Sequence, residues 1–188
     1  KAAEKADPDN GSVHGLLGYL HFDYGRFKEA RAALAKAVKL NRGWAGVQQS
    51  IEAKILFLYN KDDEARKVLA GISSPRGSTR YLATMMNPPG LVGVKSKKGH
   101  YIVYGDEALV GKEGHLYAAR LLDLIYKAYS RVFPFPKDED VVYRCYILSR
   151  RERFLEFSKQ IGHSGEGAAE EPPREQHAGA RGDRRQLG

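Results

Sequence analysis

The stretch Tyr24–Leu34 reads YGRFKEARAAL, and the stretch Tyr59–Leu69 reads YNKDDEARKVL, with Tyr, Glu, Ala, Arg and Leu at matching places. The copies lie 35 residues apart, and a fixed period of this size is typical of stacked helical hairpins. A single hairpin has an apolar face that it cannot bury alone, so a chain that repeats it buries those faces by stacking the copies. The repeat therefore predicts that the first part of the fold is helical.

The first copy has the apolar pattern of two helices joined by a tight turn. Apolar residues recur at helical spacing up to Gly25, which interrupts the pattern, and a second helical pattern follows it. Small Ala30 and Ala37 allow the two helices to approach closely, while Phe27 and Leu34 fill the space towards the next pair.

The second copy, residues 44–71, departs from the first at its turn. It has Asn60 where the first copy has its turn glycine, and it carries one extra residue. We interpret it as a degenerate repeat of the kind that closes a stack.

The small residues and the turn resemble those of the tetratricopeptide repeat, whose small Gly, tight turn and paired Ala correspond here to Gly18, Gly25, Ala30 and Ala37. The opening AEKADPDN is similar to the end of a preceding repeat. This similarity implies that the chain starts inside an array and is a fragment of a larger protein.

The resemblance also implies a protein or peptide partner. Repeats of this type bind extended peptides along the concave face made by their first helices, which here would present Tyr19 and Phe22. Aromatic residues at helical spacing more often pack against neighbouring helices, so simple packing of both rings stays open as the alternative.

The sequence after Gly71 changes character. Residues 72–96 are rich in Gly, Pro and Ser, which predicts a linker. Residues 97–162 then predict a strand at HYIVYG, a helix over 114–133, a strand at VVYRCYIL and a last helix with Ser149 as its N-cap. The predicted fold class is therefore α+β, with helical hairpins over 1–71 followed by a small α/β domain.

Three segments of this second part, GHYIVYGDEA, LLDLIYKAYSRVFPFP and VVYRCYILSRRERFLEF, resemble the start of the peptidase-MA-like domain of bacterial zinc metallopeptidase homologues of the gluzincin type. The resemblance covers about residues 97–161. It implies a truncated metallopeptidase-like domain whose zinc-binding helix would lie further on in a longer parent protein.

The zinc motif of that class is absent from this sequence. A protease of the class needs HExxH, because two His one turn apart reach the metal while the Glu activates its water. None of the six His residues is followed by Glu. His100 and His115 each stand alone at the edge of a predicted element, so we assign no metal ligand, cofactor or catalytic residue and expect the chain to be non-catalytic.

A basic nucleic-acid-binding module is the alternative function. The formal net charge is +8, and basic clusters occur at Lys95–Lys98 and Ser149–Arg153, near Tyr101, Tyr104 and Tyr143. Against this function, the sheet needs those tyrosines for its own core, and no RNP-like or helix-turn-helix signature is present. Protein binding is therefore the favoured function.

Other features limit what the chain can be. No apolar run approaches the ~18 residues that a membrane span requires, and the single Cys145 excludes an internal disulfide. Residues 163–188 have almost no apolar character, which predicts either a disordered tail or translation in a shifted reading frame.

Overall fold

The structure is a computed structural model that describes residues 7–73, 77–132 and 141–162. The predictions for residues 1–6 and for the tail, 163–188, lie outside the described residues. None of the helices within those ranges combines the length and apolar character that a membrane span needs.

The first part of the chain forms two helical hairpins, which confirms the helical prediction from the repeat. In chain order, the helices are α1 (Gly11–Asp23), α2 (Phe27–Leu40), α3 (Ala45–Leu58) and α4 (Asp62–Ala70), with a 3-10 turn at Arg42–Trp44. The side chain of Asn10 starts α1 by accepting hydrogen bonds from the N–H groups of Ser12 and Val13.

Both hairpin turns use a left-handed backbone conformation. The φ angle is 69° at Gly25 and 56° at Asn60. Glycine adopts this region freely, and asparagine tolerates it better than most residues because its short side chain can hydrogen bond locally. Asn60 therefore preserves the turn that a glycine forms in the first copy.

Small residues set the spacing within the first hairpin. A Cβ atom at Gly18 would lie 2.5 Å from Cγ of Leu34, which is far closer than packed atoms approach. Ala30 and Ala37 have no exposed surface. The two helices are thus in direct contact, as the sequence pattern predicts.

Residues 72–96, predicted to be a linker, contain regular structure. They include a 3-10 turn at Gly77–Tyr81, helix α5 (Leu82–Met86) and strand β1 (Val92–Lys95). Leu82 and Met86 are buried against residues of α3 and α4 in one hydrophobic cluster. This stretch therefore contributes to the core of the helical section.

The remaining elements follow the predicted order of strand, helix, strand and helix. They are β2 (Tyr101–Gly105), α6 (Glu107–Tyr129), β3 (Tyr143–Ile147) and α7 (Arg151–Gln160). The sheet order is β1-β2-β3, with β1 antiparallel and β3 parallel to β2. Helix α6 lies in the crossover that a parallel pair requires, and the predicted α+β class is confirmed.

The predicted N-cap of the last helix is wrong. The cap position of α7 is Arg150, and no side chain caps the helix. Ser149 Oγ instead donates to Oδ2 of Asp106 at 2.6 Å, and the Ser149 N–H donates to the same oxygen at 3.3 Å. Since Asp106 is buried, the two hydrogen bonds from Ser149 replace part of the hydration that its carboxylate loses on folding.

The sheet packs directly on the helical hairpins. Val141 belongs to the same buried cluster as residues of α2 and α3, and the Val142 N–H donates to the Leu58 carbonyl at 2.7 Å. Tyr146 Oη donates to the Met85 carbonyl at 2.8 Å. The helical section and the sheet are therefore joined by a shared core, by a backbone hydrogen bond and by a side-chain hydrogen bond.

Candidate functional site

The structure places the two predicted groove residues differently. Tyr19 is 38% exposed, and its ring meets Trp44 edge-on with the ring centroids 6.5 Å apart. Phe22 is half-buried, lies 5.8 Å from Phe27 between ring centroids and packs on the cluster between the hairpins. The ring of Tyr19 is thus partly exposed, whereas Phe22 mainly joins the core.

Trp44 is a neighbour of Tyr19 that the sequence reasoning missed. A Cβ atom at Gly15 would lie 2.5 Å from three atoms of the indole ring, so the missing side chain at Gly15 makes the space that Trp44 occupies. The indole in turn supports the Tyr19 ring from one side. One feature of the sequence could have indicated this contact: the only tryptophan of the chain stands at the start of the second copy.

Lys54 on α3 lies near Phe22. Its Nζ lies 5.9 Å from the centroid of the Phe22 ring. Burial lowers the pKa of Lys54, and the nearby charge of Asp23 partly offsets that effect. The amine is thus less hydrated than a surface lysine, and a hydrogen-bond acceptor that reaches it gains more than it would in open water.

We refer to Tyr19, Phe22, Trp44 and Lys54 as the Tyr19 patch. It combines aromatic rings with one amine on two successive first helices and the turn between the hairpins. Such a surface can hold an apolar side chain against the rings and an acceptor against the amine.

A second concavity lies where α2, α3 and α4 meet. Its volume is about 580 Å³, and its lining includes a bidentate ion pair. Arg31 Nε donates to Glu52 Oε2 at 2.7 Å and Arg31 Nη2 donates to Glu52 Oε1 at 2.8 Å. Because the pair joins α2 to α3, its evident role is to hold one hairpin against the next.

Arg144 on β3 joins the sheet to the second hairpin turn. Its side chain is 2% exposed, and its guanidinium carbon lies 4.0 Å from the Phe57 ring centroid. Nη1 donates to the Phe57 carbonyl at 3.0 Å, while Nη2 donates to Asn60 Oδ1 at 2.8 Å and to Asp62 Oδ1 at 2.6 Å. The asparagine in the degenerate turn therefore has a partner 84 residues further along the chain.

The basic clusters of the alternative function lie on exposed elements. Lys97 and Lys98 are exposed in the turn between β1 and β2, and residues 150–153 are exposed at the start of α7. The tyrosines near them pack on one another within the sheet. The ring centroids are 5.7 Å apart for Tyr101 and Tyr143 and 5.3 Å apart for Tyr104 and Tyr146. Rings used in this way offer less surface for stacking with bases.

Within the described residues, no group of three or more His, Cys, Asp or Glu side chains is placed to hold a metal ion. His14 is buried, and its Nε2 lies 2.8 Å from the Pro8 carbonyl, while His100 stacks on Tyr126 with ring centroids 4.3 Å apart. Burial raises the pKa of the Cys145 thiol, which disfavours the reactive thiolate. The side chain of His115 lies outside what the structure describes.

Comparisons with protein-family models, with curated proteins and with solved structures find no match for this chain. The resemblances to the tetratricopeptide repeat and to the peptidase-MA-like domain therefore stay predictions.

Proposed function

We propose that the chain is a protein-binding scaffold whose helical hairpins hold a segment of a partner protein on the Tyr19 patch. The observation that carries this proposal is that the Tyr19 ring is packed against Trp44 and is also exposed. The ring remains 38% exposed despite this support. A large aromatic ring that is held in place and still exposed can bind with little loss of side-chain entropy.

The chemistry of the patch indicates the kind of segment that fits. The rings of Tyr19 and Trp44 favour an apolar or aromatic side chain, and the poorly hydrated amine of Lys54 favours a carboxylate or a backbone carbonyl. An extended peptide with an apolar side chain next to an acidic one supplies both groups.

In this proposal, residues 97–161 are the opening part of a peptidase-MA-like domain that does not catalyse in this chain. Zinc would enter only in a parent protein that carries HExxH further on. The hairpins would then deliver a protein partner to the domain joined to them.

The proposal is tested by selecting peptides from a displayed random library against the chain and measuring their affinities by fluorescence polarisation. We expect Tyr19→Ala and Lys54→Met each to weaken binding of the selected peptides about tenfold or more, the effect of losing a binding hot spot. Tyr117→Ala and Lys67→Met are the matched controls, because Tyr117 is 70% exposed on α6 and Lys67 is exposed on α4. Equal affinity of the Tyr19 variant and the controls would contradict the proposal.

A further inference from the structure

Helix α6 carries an exposed apolar surface on the side turned away from the sheet. Its sheet side carries Tyr126, whose ring packs edge-on against a tyrosine of β2. On the other side, Leu121, Leu124 and Ile125 follow the spacing i, i+3, i+4, which places side chains on one face of a helix. They are 44%, 64% and 41% exposed, respectively, and Val132 in the turn after α6 is 74% exposed. We refer to Leu121, Leu124, Ile125 and Val132 as the α6 ridge.

Basic side chains run along one edge of the α6 ridge. Arg120 and Lys127 are exposed two turns apart on α6, and Arg131 is exposed in the turn that follows the helix. Between residues 116 and 132 the sequence has a single acidic residue, Asp123. In the part of the chain that the structure describes, none of the three cations forms an ion pair. Their charge is therefore unmatched within the fold.

The turn between β1 and β2 places two lysines beside these cations. Ser96 Oγ donates to Asp123 Oδ1 at 2.9 Å, and the Lys98 N–H donates to Asp123 Oδ2 at 3.0 Å. The carboxylate thus holds the turn against α6, one helical turn from Lys127. Lys97 and Lys98 are exposed in that turn. We refer to the five cations together as the basic row: Lys97, Lys98, Arg120, Lys127 and Arg131.

An apolar ridge with cations along its edge matches the surface of an anionic bilayer. A helix that lies in the membrane interface buries its apolar side at the boundary between headgroups and acyl chains, while adjacent Lys and Arg side chains meet the anionic headgroups. Lipids can arrange themselves around the convex surface of a helix, because each lipid moves independently.

Other occupants match only part of this surface. A nucleic acid would pair with the basic row but leave the α6 ridge uncovered. A second copy of the chain, packed ridge to ridge, would bring the same cations and offer them no anion. A protein partner would need an apolar groove with an acidic rim to fit a convex helix.

We propose that the α6 ridge and the basic row form a surface that binds anionic lipid bilayers. Leu124 and its apolar neighbours enter the upper part of the acyl region, and Lys127 and the other cations contact the headgroup phosphates and carboxylates. This mode of binding needs no helix that crosses the membrane. The inference does not rest on the proposed function, because the Tyr19 patch shares no residue with this surface and its peptides are selected without lipid.

The test measures cosedimentation of the full chain with phosphatidylcholine vesicles that contain about 30% phosphatidylserine, and with vesicles of phosphatidylcholine alone. We expect binding to the anionic vesicles to be at least about tenfold tighter. Leu124→Gln should weaken this binding about tenfold, because it removes apolar surface that the bilayer buries. Lys127→Gln should weaken it about fivefold, the effect of one basic residue at an anionic surface.

Leu16→Gln and Lys39→Gln are the matched controls, because both residues are exposed and lie on α1 and α2. Both control variants should bind the anionic vesicles as the unaltered chain does. Equal binding to the two kinds of vesicle would contradict the proposal, and so would equal binding of Leu124→Gln and Leu16→Gln.

Two further measurements distinguish other occupants of the surface. Soluble phosphoserine should not release the chain from the vesicles, because a free headgroup cannot cover the α6 ridge; release would show that the headgroup alone is bound and would overturn the proposal. Sedimentation without lipid should show no dimer that depends on Leu124. A dimer that Leu124→Gln dissociates would show that a second copy covers the ridge, and it would also overturn the proposal.

Discussion

Replacing Arg144 by Met tests how much the contacts between the sheet and the second hairpin turn stabilise the fold. Met keeps much of the length and apolar packing of the side chain but removes the charge and the three hydrogen bonds to the second hairpin turn. Breaking a buried ion pair costs about 3 to 5 kcal/mol. Because the partner Asp62 is 24% exposed on its side chain and can regain water, we expect the lower end, about 3 kcal/mol.

The chain contains its own probes for this measurement. Trp44 is the only tryptophan and lies between the hairpins, whereas Cys145 is the only cysteine and lies on β3. Urea unfolding followed by Trp44 fluorescence and by thiol labelling of Cys145 reports on the two sections separately. A slope of about 2 kcal/mol per molar urea turns the expected loss into a midpoint lower by about 1.5 M for both probes.

Arg66→Met is the control, because its ion pair with Asp63 is open to water, with the Asp63 side chain 91% exposed. Its removal should cost less than about 0.5 kcal/mol. The reasoning is refuted if Arg144→Met loses less than about 1 kcal/mol, or if the two probes unfold at different urea concentrations in the unaltered chain.

Four further substitutions at single positions have expected outcomes. Gly18→Ala should destabilise the chain by about 1 to 3 kcal/mol in thermal unfolding, because the new methyl would overlap a leucine of α2. Gly46→Ala meets nothing within 4 Å and should stabilise the chain by about 0.5 kcal/mol. Asn60→Gly removes an acceptor from Arg144, so in urea unfolding it should cost about 1 kcal/mol alone. In the Arg144→Met background only the easier left-handed turn remains, so the same change should not destabilise the chain. Burial raises the pKa of Tyr146 above the ordinary value of 10.0, so the contribution of this phenol to stability is complete below about pH 10 and is lost as pH rises further. Urea unfolding between pH 9 and 11 should therefore show a shallower decline for Tyr146→Phe, and equal declines would contradict the assignment.

The elements that depend on local pattern could be predicted from the sequence. The hairpins follow from the repeat, and β2, α6, β3 and α7 follow from apolar periodicity. Strand β1 and helix α5 were missed because each is short and lies among Gly, Pro and Ser, whose local preference for turns hides a role set by packing. Leu82 and Met86 become buried only when α5 meets the hairpins.

The candidate surface was only partly predictable. Tyr19 could be chosen from its place on the first helix, whereas its support by Trp44 depends on the space left at Gly15 by packing between hairpins. The hydrogen bond from Arg144 to Asn60 joins residues that are 84 positions apart in the sequence, and no local pattern relates residues so far apart. Long-range pairs of this kind are visible only in the folded chain.

The central claim is that the Tyr19 patch binds a partner segment, and Trp44 fluorescence tests it most directly. The indole lies beside Tyr19 and is the only tryptophan of the chain, so a peptide bound to the patch must change its surroundings. On titration with a peptide selected against the chain, we predict a saturable change in Trp44 emission that is weakened about tenfold in Lys54→Met and unaltered in Lys67→Met. A peptide that binds with the same affinity to both variants and leaves Trp44 emission unchanged would contradict the claim.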